Sequence, residues 1–169
     1  MRKSPMGILL LLLVMTVVLT ACSQKAVELS PELETLLARI NEVRSRGYEC
    51  ASGEMPPAGP LYDDGRINWA AQMHAEDMDA ARVLSHDTPP GAIHFAPGTP
   101  PGERLLQAGY LYVAMGEDIA RGQISVEEVL ADWLASTEGH CEALMSATYR
   151  DAGLGHSGVY WVLDLAAPQ

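Results

Sequence analysis

The fold class this sequence predicts is α+β, with four helices and a small antiparallel sheet. Three observations predict it. Apolar residues recur at helical spacing in separate stretches, the period shortens to that of paired strands near the C-terminus, and 169 residues suffice for one domain with a real core. No internal repeat or low-complexity segment interrupts the part that would fold.

The first helix starts at Ser30-Pro31-Glu32. Ser30 serves as N-cap, and Pro31 takes the first helical position, where an N–H would be unpaired anyway. Leu33, Leu36, Leu37, Ile40 and Val43 follow at helical spacing, and Gly47 stops the run. Residues 50–62 (CASGEMPPAGPLY) are rich in proline and glycine and are expected to be loop. A second helix is expected over about residues 67–83, with Ile67, Ala70, Ala71, His74, Met78 and Ala81 on one face, so His74 should pack inside. A short third helix covers about residues 101–108 and closes at Gly109. The fourth opens on a capping box, Ser125 to Glu128, in which the serine accepts one backbone N–H and the glutamate reaches back to another. Its buried stripe is Val129, Leu130, Trp133 and Leu134. Residues 151–156 and 159–165 then flank Ser157-Gly158 as a hairpin, and a third strand is expected at residues 110–115.

Residues 1–21 read as an export signal rather than as folded structure. Arg2 and Lys3 precede an uncharged run over residues 7–20 (GILLLLLVMTVVLT), short for a spanning helix of about 20 apolar residues. Leu19-Thr20-Ala21-Cys22 resembles the lipobox of bacterial lipoproteins. That resemblance implies cleavage before Cys22, with lipid on its thiol and new amino group. Residues 22–29 would then form a lipidated tether, leaving residues 30–169 as the domain. Ser23, standing where an aspartate would resemble an inner-membrane retention signal, favours an outer-membrane anchor in an organism that has that membrane. Losing Arg2 and Lys3 moves the formal net charge from −11 to −13. So acidic a chain, without a lysine or arginine cluster, disfavours nucleic acid and anionic headgroups as partners. If Cys22 carries lipid, Cys50 and Cys141 remain as an even pair in an oxidising compartment. A disulfide between them is the natural inference, worth ~4 to 5 kcal/mol in the chain-entropy account.

Familiar catalytic signatures are missing: no G-x-S-x-G, no H-E-x-x-H, no phosphate-cradling G-x-x-x-x-G-K and no G-x-G-x-x-G. With both domain cysteines oxidised, histidines and acids are the chemistry that remains. His86 lies just past the second helix and His140 just past the fourth. Between them comes Met115-Gly116-Glu117-Asp118-Ile119-Ala120, an acidic pair between a glycine and an apolar residue.

Several blocks stand in an order that resembles bacterial members of the CAP superfamily (cysteine-rich secretory, antigen 5 and pathogenesis-related 1 proteins, the SCP domain). They are LARINEVRSRGYEC, MHAEDMDAARVLSH, ERLLQAGY, GEDIARG, VLADWLASTEGHCEALM, and YRDAGLG followed by YW. The resemblance runs from about Leu33 to Trp161. It implies an α-β-α sandwich, with a small antiparallel sheet between helical layers, and a central cleft lined by two histidines and two acids. Several members bind a divalent cation there. By motif the histidines correspond to His86 and His140 and the first acid to Glu117. The fourth place falls at Asp151 or in the Ser136 region, and the equivalents of Cys50 and Cys141 pair in many relatives. The chain departs from the family where Gly-Glu-Asn becomes Gly-Glu-Asp118, where the asparagine after the second histidine becomes Ala143, and where Val162-Leu163-Asp164-Leu165 replaces an aromatic strand end. The segment 89–101 is also long, and it contributes His94 and Phe95.

Two neutral imidazoles with one or two carboxylates form a donor set suited to a divalent cation. Zinc held by three protein ligands keeps a place for water and lowers its pKa to about 7. The expected function is therefore a lipid-anchored cell-envelope binding or scaffolding module, accommodating a lipid or another envelope ligand, with a cleft for Zn²⁺ or a similar cation. A metal-assisted hydrolase or protease using His86, His140 and Glu117 is the alternative. A purely structural hydrogen-bond network is the third reading.

Overall fold

The computed structural model describes residues 25–169. The expected export signal, Cys22 and the first residues of the expected tether lie outside the described residues. From Lys25 onward the chain is docked: Val27 N donates to Gly65 O at 2.9 Å, Val27 O accepts from Asn68 Nδ2, and the Lys25 ammonium lies over the Trp69 ring.

Helix α1 (Pro31–Arg46) begins as its cap residue dictates, with Leu33 N donating to Ser30 Oγ. The segment expected to be loop instead contains a small hairpin, β1 (Tyr48–Cys50) and β2 (Gly53–Met55), and a two-residue strand, β3 (Tyr62–Asp63). These strands are too short for a periodicity to show. Helix α2 (Gly65–Ala81) is capped by Asp64, and α3 spans Pro101–Gln107. The third strand proves longer than expected: β4 runs Tyr112–Arg121 and takes in the whole glycine-acid-acid motif. Helix α4 (Val126–Ala135) has its Ser125 cap. A fifth helix, α5 (His140–Met145), stands where loop was expected, so His140 is the first residue of a helix. Six residues are fewer than two full turns, which left no stripe to read. Strands β5 (Asp151–Ser157) and β6 (Tyr160–Pro168) close the chain as a hairpin.

The main sheet has the order β3-β5-β6-β4. It is antiparallel across its three long strands, and β3 joins β5 in parallel. Side chains alternate between its two faces. One face, with Ala152, Leu154, Trp161, Leu163 and Leu165, packs against the apolar sides of α1, α4 and α5. The other, with Ile119, Tyr160, Val162 and Ala166, packs against α2 and α3. Helix α2 lies very close to β5. A Cβ at Gly153 would overlap the backbone nitrogen of Asn68, and one at Gly155 would overlap the Ala71 carbonyl, so both strand positions require glycine. Cys50 and Cys141 form a disulfide joining β1 to α5. The layers are those of an α-β-α sandwich.

Candidate functional site

The site is assembled where β4 passes under α3 and the segment that follows α2. Alternation sends Glu117 to the α2 face and Asp118 to the opposite one. Glu117 is then directly opposite Asp164 on β6, and Asp164 is opposite Gly153 on β5. The Glu117 side chain is 2% exposed and both its oxygens are engaged. Oε1 accepts from His86 Nδ1 at 2.8 Å, and Oε2 accepts from Arg104 Nη2 at 2.5 Å. Arg104, fully buried on α3, also donates through Nη1 to His86 O and Thr99 O, each at 2.9 Å. One guanidinium thus holds both the carboxylate and the backbone of the histidine bonded to it.

Protonation follows from these contacts. Burial pushes the Glu117 carboxyl up, but the His86 hydrogen bond and the Arg104 charge outweigh burial and hold it below its ordinary range. His86 is raised, because its bond to Glu117 exceeds the cost of partial desolvation. An ionised carboxylate only accepts, so His86 carries its proton on Nδ1, and Nε2 of the neutral ring keeps its lone pair. His140 is lowered by burial and then by the charge of His86. His74, fully buried as expected, bonds through Nε2 to Ser85 O at 2.9 Å. Burial and Arg104 bring it down to about 4, so it stays neutral. Two further carboxyls are buried with both oxygens unpaired among the described residues, Asp118 on one face and Asp164 on the other. Burial raises both well above the carboxylate range, and Glu117 adds to each.

His86 and Glu117 are thus brought into contact, while His140 lines a neighbouring groove with Leu84 and Ile119. Asp151 does not join them. It faces the same side as Glu117 but lies two residues along and across an intervening strand, about 12 Å away by strand spacing. There it accepts from Tyr110 Oη at 2.7 Å and from Arg150, in a pocket with Asp64 and Arg66. Ser136, by contrast, shares a groove with His140, but its hydroxyl accepts from Glu138 N. His94 pairs with Glu76, and His156 stacks on Trp161, both away from the cleft. Arg104 and Asp164 are members that sequence reasoning missed. Asp164 is a charge inside an apolar run, Val162-Leu163-Asp164-Leu165, which is the signal that could have found it; Arg104, next to Glu103, carried none.

A divalent cation fits only part of this set. Glu117 is saturated by His86 and Arg104, and among the described residues no group of three or more histidines, cysteines and acids is placed to hold a metal. Two donors remain available, His86 Nε2 and the His140 imidazole. A cation bound there would have these two imidazoles at most as protein ligands and would take the rest of its shell from water, supplying Lewis acidity.

The sequence profile described as CAP, the cysteine-rich secretory protein family, matches residues 37–163. A Bacillus subtilis protein, "Uncharacterized protein YkwD", is 29% identical over 126 residues, covering 72% of this chain and 46% of that one. The chain therefore spans about half the length of that relative. Among solved structures, an extracellular protein containing a SCP domain from Bacillus anthracis str. Ames superposes with TM-score 0.65 at 22% identity, over 83% of this chain and 45% of the other. An outer surface protein from Borrelia burgdorferi superposes with TM-score 0.67 at 19% identity, over 85% and 98%. At these identities the two likenesses are likenesses of fold. No helix among the described residues is long and apolar enough to cross a membrane.

Proposed function

Because this chain belongs to the cysteine-rich secretory protein family, we propose that it is an exported binding module of the cell envelope, tethered by lipid on Cys22. Its cleft presents His86 and His140 to a divalent cation or a polar ligand. The observation that carries this reading is the double engagement of Glu117, with Arg104 on one oxygen and His86 on the other. A carboxylate so held is a fixed counter-charge. It orients His86 and leaves Nε2 as an outward donor, but it is not a free base beside a metal-bound water. The same pairing is what a base and its orienting acid need, so a hydrolase is the second reading.

Calorimetric titration of the oxidised protein with zinc, repeated on His86→Ala and His140→Ala proteins of unchanged circular dichroism, separates the two. One-to-one binding lost in both variants and no turnover on a peptide panel supports the binding module. Turnover abolished by His86→Ala supports the hydrolase. Absence of any zinc binding by folded wild type would end the cation part of the reading. Mass-spectrometric detection of acylated Cys22 on membrane-extracted protein tests the tether, and an unmodified cysteine there would overturn it.

A further inference from the structure

Among the described residues the sheet ends on one side at β4, which pairs with β6 alone. In an antiparallel ladder the main-chain groups of successive residues aim alternately at the partner and away from it. Gly122 N donates to Val159 O at 2.8 Å, and this sets the phase: even-numbered residues of β4 pair with β6, and odd-numbered ones aim outward. Met115 agrees, since its outward carbonyl accepts from Tyr149 Oη at 3.1 Å. Beyond it, the outward groups of Glu117, Ile119 and Arg121 form no hydrogen bond among the described residues. Glu117 displays the consequence. Its side chain is 2% exposed while the residue as a whole is partly exposed, so what meets solvent is its backbone.

A groove of about 410 Å³ runs beside this margin, lined by Leu84 and by Ser136, Glu138 and His140. Trp133 also lines it. That residue is 1% exposed, and its indole Nε1 is buried without a partner among the described residues. Leu84, 42% exposed, sets apolar surface beside this row of unpaired donors and acceptors.

We propose that the β4 margin from Glu117 to Arg121 takes up an extended, basic peptide segment of a partner protein as an added strand seated in this groove. Outward groups that recur every second residue, roughly 7 Å apart, are matched by another extended backbone and by little else. The charged lining decides the side chains. Asp132 and Glu138 face Arg121 alone, in a chain of net charge −11, so lysine or arginine is the complementary residue. Leu84, exposed on the groove, would receive an alternate, apolar side chain. This inference rests on the binding-module reading and names its partner class, but it does not require the cation.

The test uses the full chain in detergent and fluorescence anisotropy with a labelled peptide of five Lys-Val repeats. Its comparators are the Glu-Val peptide and a Lys-Val peptide N-methylated at alternate residues. The expected result is saturable binding of the first, weakened roughly tenfold or more by N-methylation, which removes the main-chain donors that strand addition needs. Arg121→Pro, which deletes one outward N–H and none facing β6, should weaken binding to a similar degree. Glu138→Lys, at an exposed position, should shift preference from the lysine peptide toward the glutamate peptide. Equal binding of the N-methylated peptide would mean surface charge alone and would overturn the proposal, as would no binding. A dimer in sedimentation that Arg121→Pro dissolves would assign the margin to a second copy and overturn it too. Zinc titration of the same sample keeps the failures apart. Zinc binding without peptide binding removes only the added strand, and loss of both removes the binding-module reading.

Discussion

Glu117 and Asp118 are neighbours on β4, yet they meet opposite sides of the sheet and opposite electrostatics. Glu117 enters the α2–α3 layer, where Arg104 and His86 occupy both its oxygens. Asp118 enters the apolar α1–α4–α5 layer and has no hydrogen-bond partner there among the described residues. Burial acts on both. A paired charge withstands it and an unpaired one takes up a proton, which is why the first carboxyl lies below its ordinary range and the second well above it. Pairing, not the face, decides: Asp164 on the Glu117 side is also unpaired and raised.

The comparison breaks most completely on the apolar side. Cys50 and Cys141 are 91 residues apart, so replacing both with alanine should cost about 4–5 kcal/mol in urea denaturation by the chain-entropy account. A loss under about 1 kcal/mol would mean that the layer of α1, α4 and α5 needs no staple.

On the polar side Arg104→Met should cost about 3–5 kcal/mol, because it leaves Glu117 buried without its cation and unties the backbone at His86. If the loss is small, Glu117 has taken up a proton, and a raised Glu117 pKa by carbon-13 NMR would show it.

His74 gives the next effect, and its sign is set by a folded value depressed from 6.5 to about 4. Between those values the unfolded chain binds a proton that the folded chain refuses, so stability rises with pH across that window. Relative to His74→Gln, the wild type should lose about 3 kcal/mol as pH falls from 7 to 4. Parallel stability curves for the two proteins would show that His74 titrates freely in the fold.

Asp118→Asn should sharpen the comparison with the smallest change. A carboxyl whose folded pKa is raised contributes stability below its unfolded pKa and loses it as pH rises. The amide removes that loss, so the melting temperature should rise at pH 8 and hardly move at pH 4. An equal shift at both values would mean that the effect is packing and not ionisation.

Local rules made much of the fold legible. Ser30 and Ser125 cap the helices they were expected to cap, and the stripe ending in Trp133 and Leu134 is buried as its spacing requires. The hairpin β1–β2 and helix α5 were not legible, since three and six residues carry no period. Glu117, His86 and His140 could be named together only through the resemblance, because no spacing in the sequence links positions separated by whole elements. Asp151 was named by the same route, and the register of β5 places it at another pocket.

The sequence by itself determined the starts of α1 and α4, the buried stripes, the pairing of Cys50 with Cys141 and the identity of the chemistry-bearing side chains. Each of these depends on residue type and on neighbours within a few positions, or, for the cysteines, on a count. Only the tertiary structure decided that Arg104 would hold Glu117, that Asp164 would lie opposite it and that β4 would keep an open margin. Those facts are set by strand order and register, which arise when distant segments pack, and a carboxylate's charge state depends on what packing brings to it.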